Sequence, residues 1–94
     1  MDSETDLREK VQRANQARVL LNDPLLQECL KDMRETVFYN IRTSHHDATE
    51  EREDLYRMLK AIDGFEREFT RRISDGKVAQ SRLDQLINKI RRIA

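Results

Sequence analysis

The chain has 94 residues, 37% hydrophobic and 38% charged, with only two glycines, one proline and one cysteine. So few turn-formers exclude a many-stranded β fold, a lone cysteine excludes an intramolecular disulfide, and the length argues for one domain. Formal net charge is zero, which excludes a chain that binds nucleic acid through bulk charge.

A chain this short and polar buries a modest share of its surface. Its helices must form a lean bundle or bury part of their apolar faces against a second copy or a partner. We expect the second. The charge is unevenly placed. Residues 71–94 hold seven basic side chains against two acidic ones, a balance of +5, so residues 1–70 balance at −5.

Helix one is predicted over about residues 3–22, with Ser3 or Asp2 as cap and Glu4 and Asp6 complementing the positive helix end. Its stripe (Leu7, Val11, Ala14, Ala17, Leu20, Leu21) is narrow and alanine-rich. Such a helix needs a packing partner to be stable. Pro24 then disfavours helix at Asp23, which makes Asp23 an N-cap and Pro24 the first helical residue. Helix two is predicted over about 24–42, since Leu26, Leu30, Met33, Val37 and Ile41 recur at helical spacing. Cys29 falls on the same apolar side with no base nearby, which reads as a buried structural thiol.

The stretch "RTSHHDATEERED" at 42–54 follows, with the only two histidines, His45 and His46, before Asp47. Ligands on a helix sit at i and i+3 or i+4, and adjacent histidines point in different directions. Asp47 with Glu50 instead matches a capping box. The stretch reads as a turn that starts a helix at Asp47 or Thr49; the alternative is a metal or catalytic site at His45 and His46, for which the spacing gives no complete ligand set.

Helix three is predicted over about 48–74, on Leu55, Met58, Ile62, Phe65, Phe69 and Ile73. "SDGK" at 74–77 reads as a break, with Gly76 available for the left-handed position past a helix end; the alternative is that the helix runs through. Helix four would then take about 77–92, where Ala79, Leu83, Leu86, Ile90 and Ile93 form a heptad seam.

The expected fold is therefore all-α: a single helical domain of three to four helices with a central antiparallel hairpin of helices two and three, completed as an oligomeric helical bundle. Leu26, Leu30, Met33, Val37, Leu55, Leu59, Ile62, Phe65 and Phe69 are the expected intrachain core. Leu83, Leu86, Ile90 and Ile93 are the expected oligomer interface.

Interspersed acids and bases such as Glu53 with Arg57 and Glu68 with Arg72 read as an ion-paired, solvated face. A catalytic carboxylate pair would need a concave, partly apolar pocket. No phosphate-cradling glycine loop, zinc spacing or nucleophile elbow is present, so neither catalytic residues nor a cofactor are expected. Arg82, Lys89 and Arg92 share one side of helix four and are placed to contact phosphate. No apolar run approaches the ~18 residues of a membrane span, and Asp2 puts charge near the N-terminus, unlike a secretory signal. The expectation is a soluble protein of a cytoplasm, with no membrane partner.

The blocks "LLNDPLLQECL", "TSHHDATEEREDLYRMLKAIDGFEREF" and "DGKVAQSRL" resemble, in order and over about residues 19–83, short helical proteins of tailed bacteriophages and prophages. The chain departs from that pattern at His45, where the family often has proline, and at Tyr56, where it often has tryptophan. Many such proteins have no assigned activity. The resemblance implies an assembly, connector or packaging accessory. It would act in the host cytoplasm or the virion, and its partners would be its own copies, other phage structural proteins, or DNA.

Overall fold

The structure, a computed structural model, describes residues 3–93. Among these it is all-helical, with three helices in the order α1 (Glu4–Leu21), α2 (Pro24–Arg42) and α3 (Thr49–Ile93). The first two match the predicted spans within a residue or so.

The local chemistry at their starts explains why. Ser3 Oγ accepts from the Asp6 N–H at 3.1 Å, and the Ser3 N–H donates back to Asp6 Oδ2 at 3.4 Å, a reciprocal cap of two otherwise orphaned amides. The other capping candidate, Asp2, lies outside the described residues. Asp23 is extended (φ −63°, ψ 125°), and its Oδ1 accepts from Leu25 N–H at 2.8 Å and Leu26 N–H at 3.2 Å. Pro24 follows at the first helical position, where no amide is needed. At the far end of α2, the Thr43 N–H and hydroxyl both donate to the Tyr39 carbonyl, at 3.0 and 2.8 Å.

The predicted break at 74–77 does not exist, so the expected helices three and four are one helix of 45 residues. Gly76 has helical backbone, and no described residue has positive φ. Glycine costs a helix about 1 kcal/mol relative to alanine. That cost is tolerable here because Gly76 is a contact position. A β-carbon built on it would lie 2.0 Å from Ala14 Cβ and 3.3 Å from the Lys10 carbonyl oxygen. Only a residue without a side chain lets α1 approach this closely.

The described chain groups into two compact units, one of residues 3–20 with 68–93 and one of residues 21–67. In the first, Leu7, Ala14 and Ala17 of α1 are buried with Ala79 and Leu83 of α3, and Val11 packs against Leu7, Ala79 and Leu83. The alanine-rich stripe of α1 thus has its partner within the chain. In the second, α2 and the adjoining part of α3 form a helical hairpin around Leu30, Val37 and Leu55. Leu26, Leu59 and Ile62 are half-buried there. The expected core needs correction at Met33 and Phe65, which are 45% and 48% exposed. Phe69, also expected there, belongs to the first unit, where it is half-buried near Ala17 and Leu20. No helix among the described residues is long and apolar enough to cross a membrane.

Candidate functional site

Three surfaces bring chemistry-bearing or apolar side chains together. The first is a groove along the α2–α3 hairpin, walled by Met33, Val37, Met58, Ala61 and Ile62, with Thr36 and Asp32 at its edge. Helical spacing puts Met33 and Met58 on the same flank as Phe65, and Met58 is 54% exposed. Unbranched methionines adapt to many partner shapes.

The opposite flank of the hairpin is closed by charge. Arg34 donates from Nε and Nη2 to Asp63 Oδ1, at 3.3 and 3.1 Å, and from Nη2 to Glu66. The hydrogen bond to Glu66, above all, raises the Arg34 pKa further. A forked guanidinium across two carboxylates fixes register better than a flexible ammonium would. The two flanks therefore differ in kind: one is sealed by an ion network, the other is open and apolar. Cys29, expected buried, is exposed. Each residue of α2 advances about 100° around the helix, which turns Cys29 from the face of its neighbour Leu30 toward the flank of Met33.

The second surface is the basic C-terminal part of α3. Arg82, Lys89 and Arg92 are exposed along it, as is Arg91. Arg71 and Arg72, further back, are committed to acidic neighbours. Arg71 reaches Glu68 at 2.9 Å and Asp75 at 4.0 Å, and Arg72 reaches Glu68 at 4.0 Å. The hydrogen bond from Arg71, more than any other contact, holds the Glu68 carboxyl below its usual value. The expected partner of Arg57, Glu53, is replaced by Asp54 at 2.6 Å.

The expected oligomer seam divides. Leu83 is only 4% exposed and belongs to the intrachain cluster with Leu7 and Ala79, so it is not available to another chain. Leu86 is half-buried, while Ile90 and Ile93 are 56% and 80% exposed.

The third surface is the turn between α2 and α3. Asp47 does not cap α3, which starts at Thr49 and leaves Ala48 in the cap position. The Asp47 carboxylate is turned instead to His45 Nδ1. The two imidazole rings lie 4.5 Å apart between centroids. One donor atom from each of His45, His46 and Asp47 falls within 4.8 Å of the others. Spacing alone predicts that adjacent histidines diverge. They converge because the backbone between them is neither helix nor strand, but a turn held by Arg52. Its guanidinium donates to Ser44 Oγ at 3.2 Å and to the carbonyls of His45 and His46 at 2.6 and 3.0 Å.

Sequence reasoning missed Arg34, the groove flank and the role of Gly76. A signal existed for the last. With Gly76 counted as a core position, the stripe Phe69, Ile73, Gly76, Ala79, Leu83 continues at spacings of three and four without interruption. These features define an all-α protein of two small helical units whose open surfaces are helix faces and one histidine turn. No known protein family matches the sequence, and neither a curated protein nor a solved structure matches it.

Proposed function

We propose that the protein is a helical assembly module that associates with its own copies, without chemistry of its own. The observation that carries this reading is the open apolar groove of the α2–α3 hairpin, with Met33 and Met58 each about half exposed. A hairpin of two helices buries one layer of side chains, and a facing pair would complete the bundle cross-section. In the other unit, Ile90 and Ile93 are further exposed apolar side chains of α3. The setting in a phage particle, as a head, connector or packaging accessory, rests on the resemblance of the three sequence blocks alone.

Sedimentation equilibrium tests self-association. The mass is expected to rise with concentration from 11.2 kDa toward an integral multiple. Met58→Glu is expected to return it to the monomer with helix content unchanged. A monomer mass at every concentration overturns the reading.

A second reading, a nucleic-acid accessory in packaging or regulation, is favoured by the exposed Arg82, Lys89 and Arg92 on one continuous helix. Under it, duplex DNA binding at low salt weakens steeply as salt rises, and neutralising the three residues lowers the slope of log K against log salt by about 2 to 3, since each phosphate contact releases about one counterion. Absence of binding at low salt removes that reading. A third, docking of an exposed helix face into a groove of a host protein, would leave the chain monomeric and yield a host partner in pull-down.

A further inference from the structure

We propose that the turn between α2 and α3 is a binding site for a divalent transition metal of the zinc, nickel or copper type, with His45, His46 and Asp47 as ligands. Two imidazoles and one carboxylate are the donor set that suits these ions, whereas calcium and magnesium call for oxygen alone. The three donor atoms lie within 4.8 Å of one another. Two ligands each about 2.1 Å from a tetrahedral zinc are about 3.4 Å apart. Closing the site therefore takes side-chain rotations that move donor atoms by an ångström or so, and all three residues are exposed.

Two further features of the turn support this use. Asp47 stands where a helix cap is expected, yet its carboxylate faces the His45 ring and not the first-turn amides. The backbone beneath the ligands is also pinned. Arg52 holds the His45 and His46 carbonyls, the Ala48 N–H donates to the His45 carbonyl at 3.0 Å, and the Ser44 hydroxyl donates to Ile41 O at 2.7 Å. Ligands on a pinned turn lose less freedom on binding than ligands on a loose one.

The local charge has terms of both signs. The Arg52 cation and the positive end of α3 oppose a metal ion. Residues 42–54 nonetheless hold five carboxylates (Asp47, Glu50, Glu51, Glu53 and Asp54) against two arginines. Three protein ligands leave the remaining coordination positions to water or to a donor from another molecule.

The test uses the full chain, stripped with chelator. Isothermal titration with zinc chloride is expected to show one ion per chain, with affinity reduced at least about tenfold in each of His45→Ala, His46→Ala and Asp47→Asn, and unchanged in Cys29→Ser. Because these are the only two histidines, their ring proton resonances give a second readout. Both are expected to broaden together at substoichiometric copper(II). Broadening of one ring alone, or zinc affinity that survives the Asp47 substitution or depends on Cys29, overturns the assignment. Circular dichroism of each variant separates loss of ligand from loss of fold. Neither measurement depends on whether the chain self-associates.

Discussion

Gly76→Ala is expected to destabilise the protein by about 2 kcal/mol, although alanine is the better helix former. Overpacking a tight contact costs typically 1–3 kcal/mol, and here the added methyl would meet another methyl at 2.0 Å. Ala14 Cβ is fixed to the backbone, so the clash cannot be relieved by a rotamer change. α1 itself must move away, which loosens Leu7 from Ala79 and Leu83. The cost therefore falls at or above the top of that range, and the gain of about 1 kcal/mol in helix propensity offsets only part of it. For a chain of this size the melting temperature should fall by roughly 10 °C. Gly64 sits in the same helix with nothing within 4 Å of its built β-carbon, so Gly64→Ala should stabilise by up to about 1 kcal/mol. Ala14→Gly in the Gly76→Ala background should recover part of the loss by restoring room. Urea denaturation followed by circular dichroism reads all three. A Gly76→Ala protein as stable as the parent would show that α1 does not cross α3 at this point.

Leu30→Ala is the other large effect, at about 3 kcal/mol. Leu30 is 1% exposed, the one large side chain so fully enclosed among the described residues. Removing a buried leucine costs roughly 2–5 kcal/mol through lost transfer energy and the cavity left behind. The hairpin has few reserves, because Val37 and Leu55 are its only other buried large residues. Against a total stability of roughly 5–15 kcal/mol for ordinary domains, this loss is a large fraction. Leu83→Ala should behave similarly in the other unit, whereas Ile93→Ala, at 80% exposure, should leave the unfolding curve of the monomer, at protein concentrations too low for association, where it is. The comparison distinguishes a core leucine from a surface isoleucine within one heptad pattern. A Leu30→Ala loss below about 1 kcal/mol would mean that the hairpin does not pack as described.

Ser3 with Asp6, and Asp23 with Pro24, act through atoms a few residues away, so the starts of α1 and α2 were legible from spacing alone. The same is true of the Leu30, Val37 and Leu55 faces, since apolar period is a local property of the chain. The same local logic predicts an Asp47 cap that the structure does not form. A cap needs the carboxylate aimed at the first-turn amides, and here the His45 ring and the Arg52-held turn aim it elsewhere. Gly76 stays ambiguous in the sequence because glycine has two uses, ending a helix or admitting a neighbour, and spacing within one segment does not distinguish them.

The helical class, the starts and ends of α1 and α2, and the apolar faces all follow from backbone chemistry and side-chain period over a few residues, and so are legible in the chain alone. Three-dimensional packing is needed to see that α3 runs unbroken through Gly76, that Leu83 belongs inside the chain, and that His45, His46 and Asp47 converge. Each depends on a residue distant in sequence or on a turn's particular backbone: Ala14 for Gly76, Leu7 for Leu83, Arg52 for the histidines. The energy of such contacts, a few kcal/mol apiece at most, is enough to override a local preference worth about one.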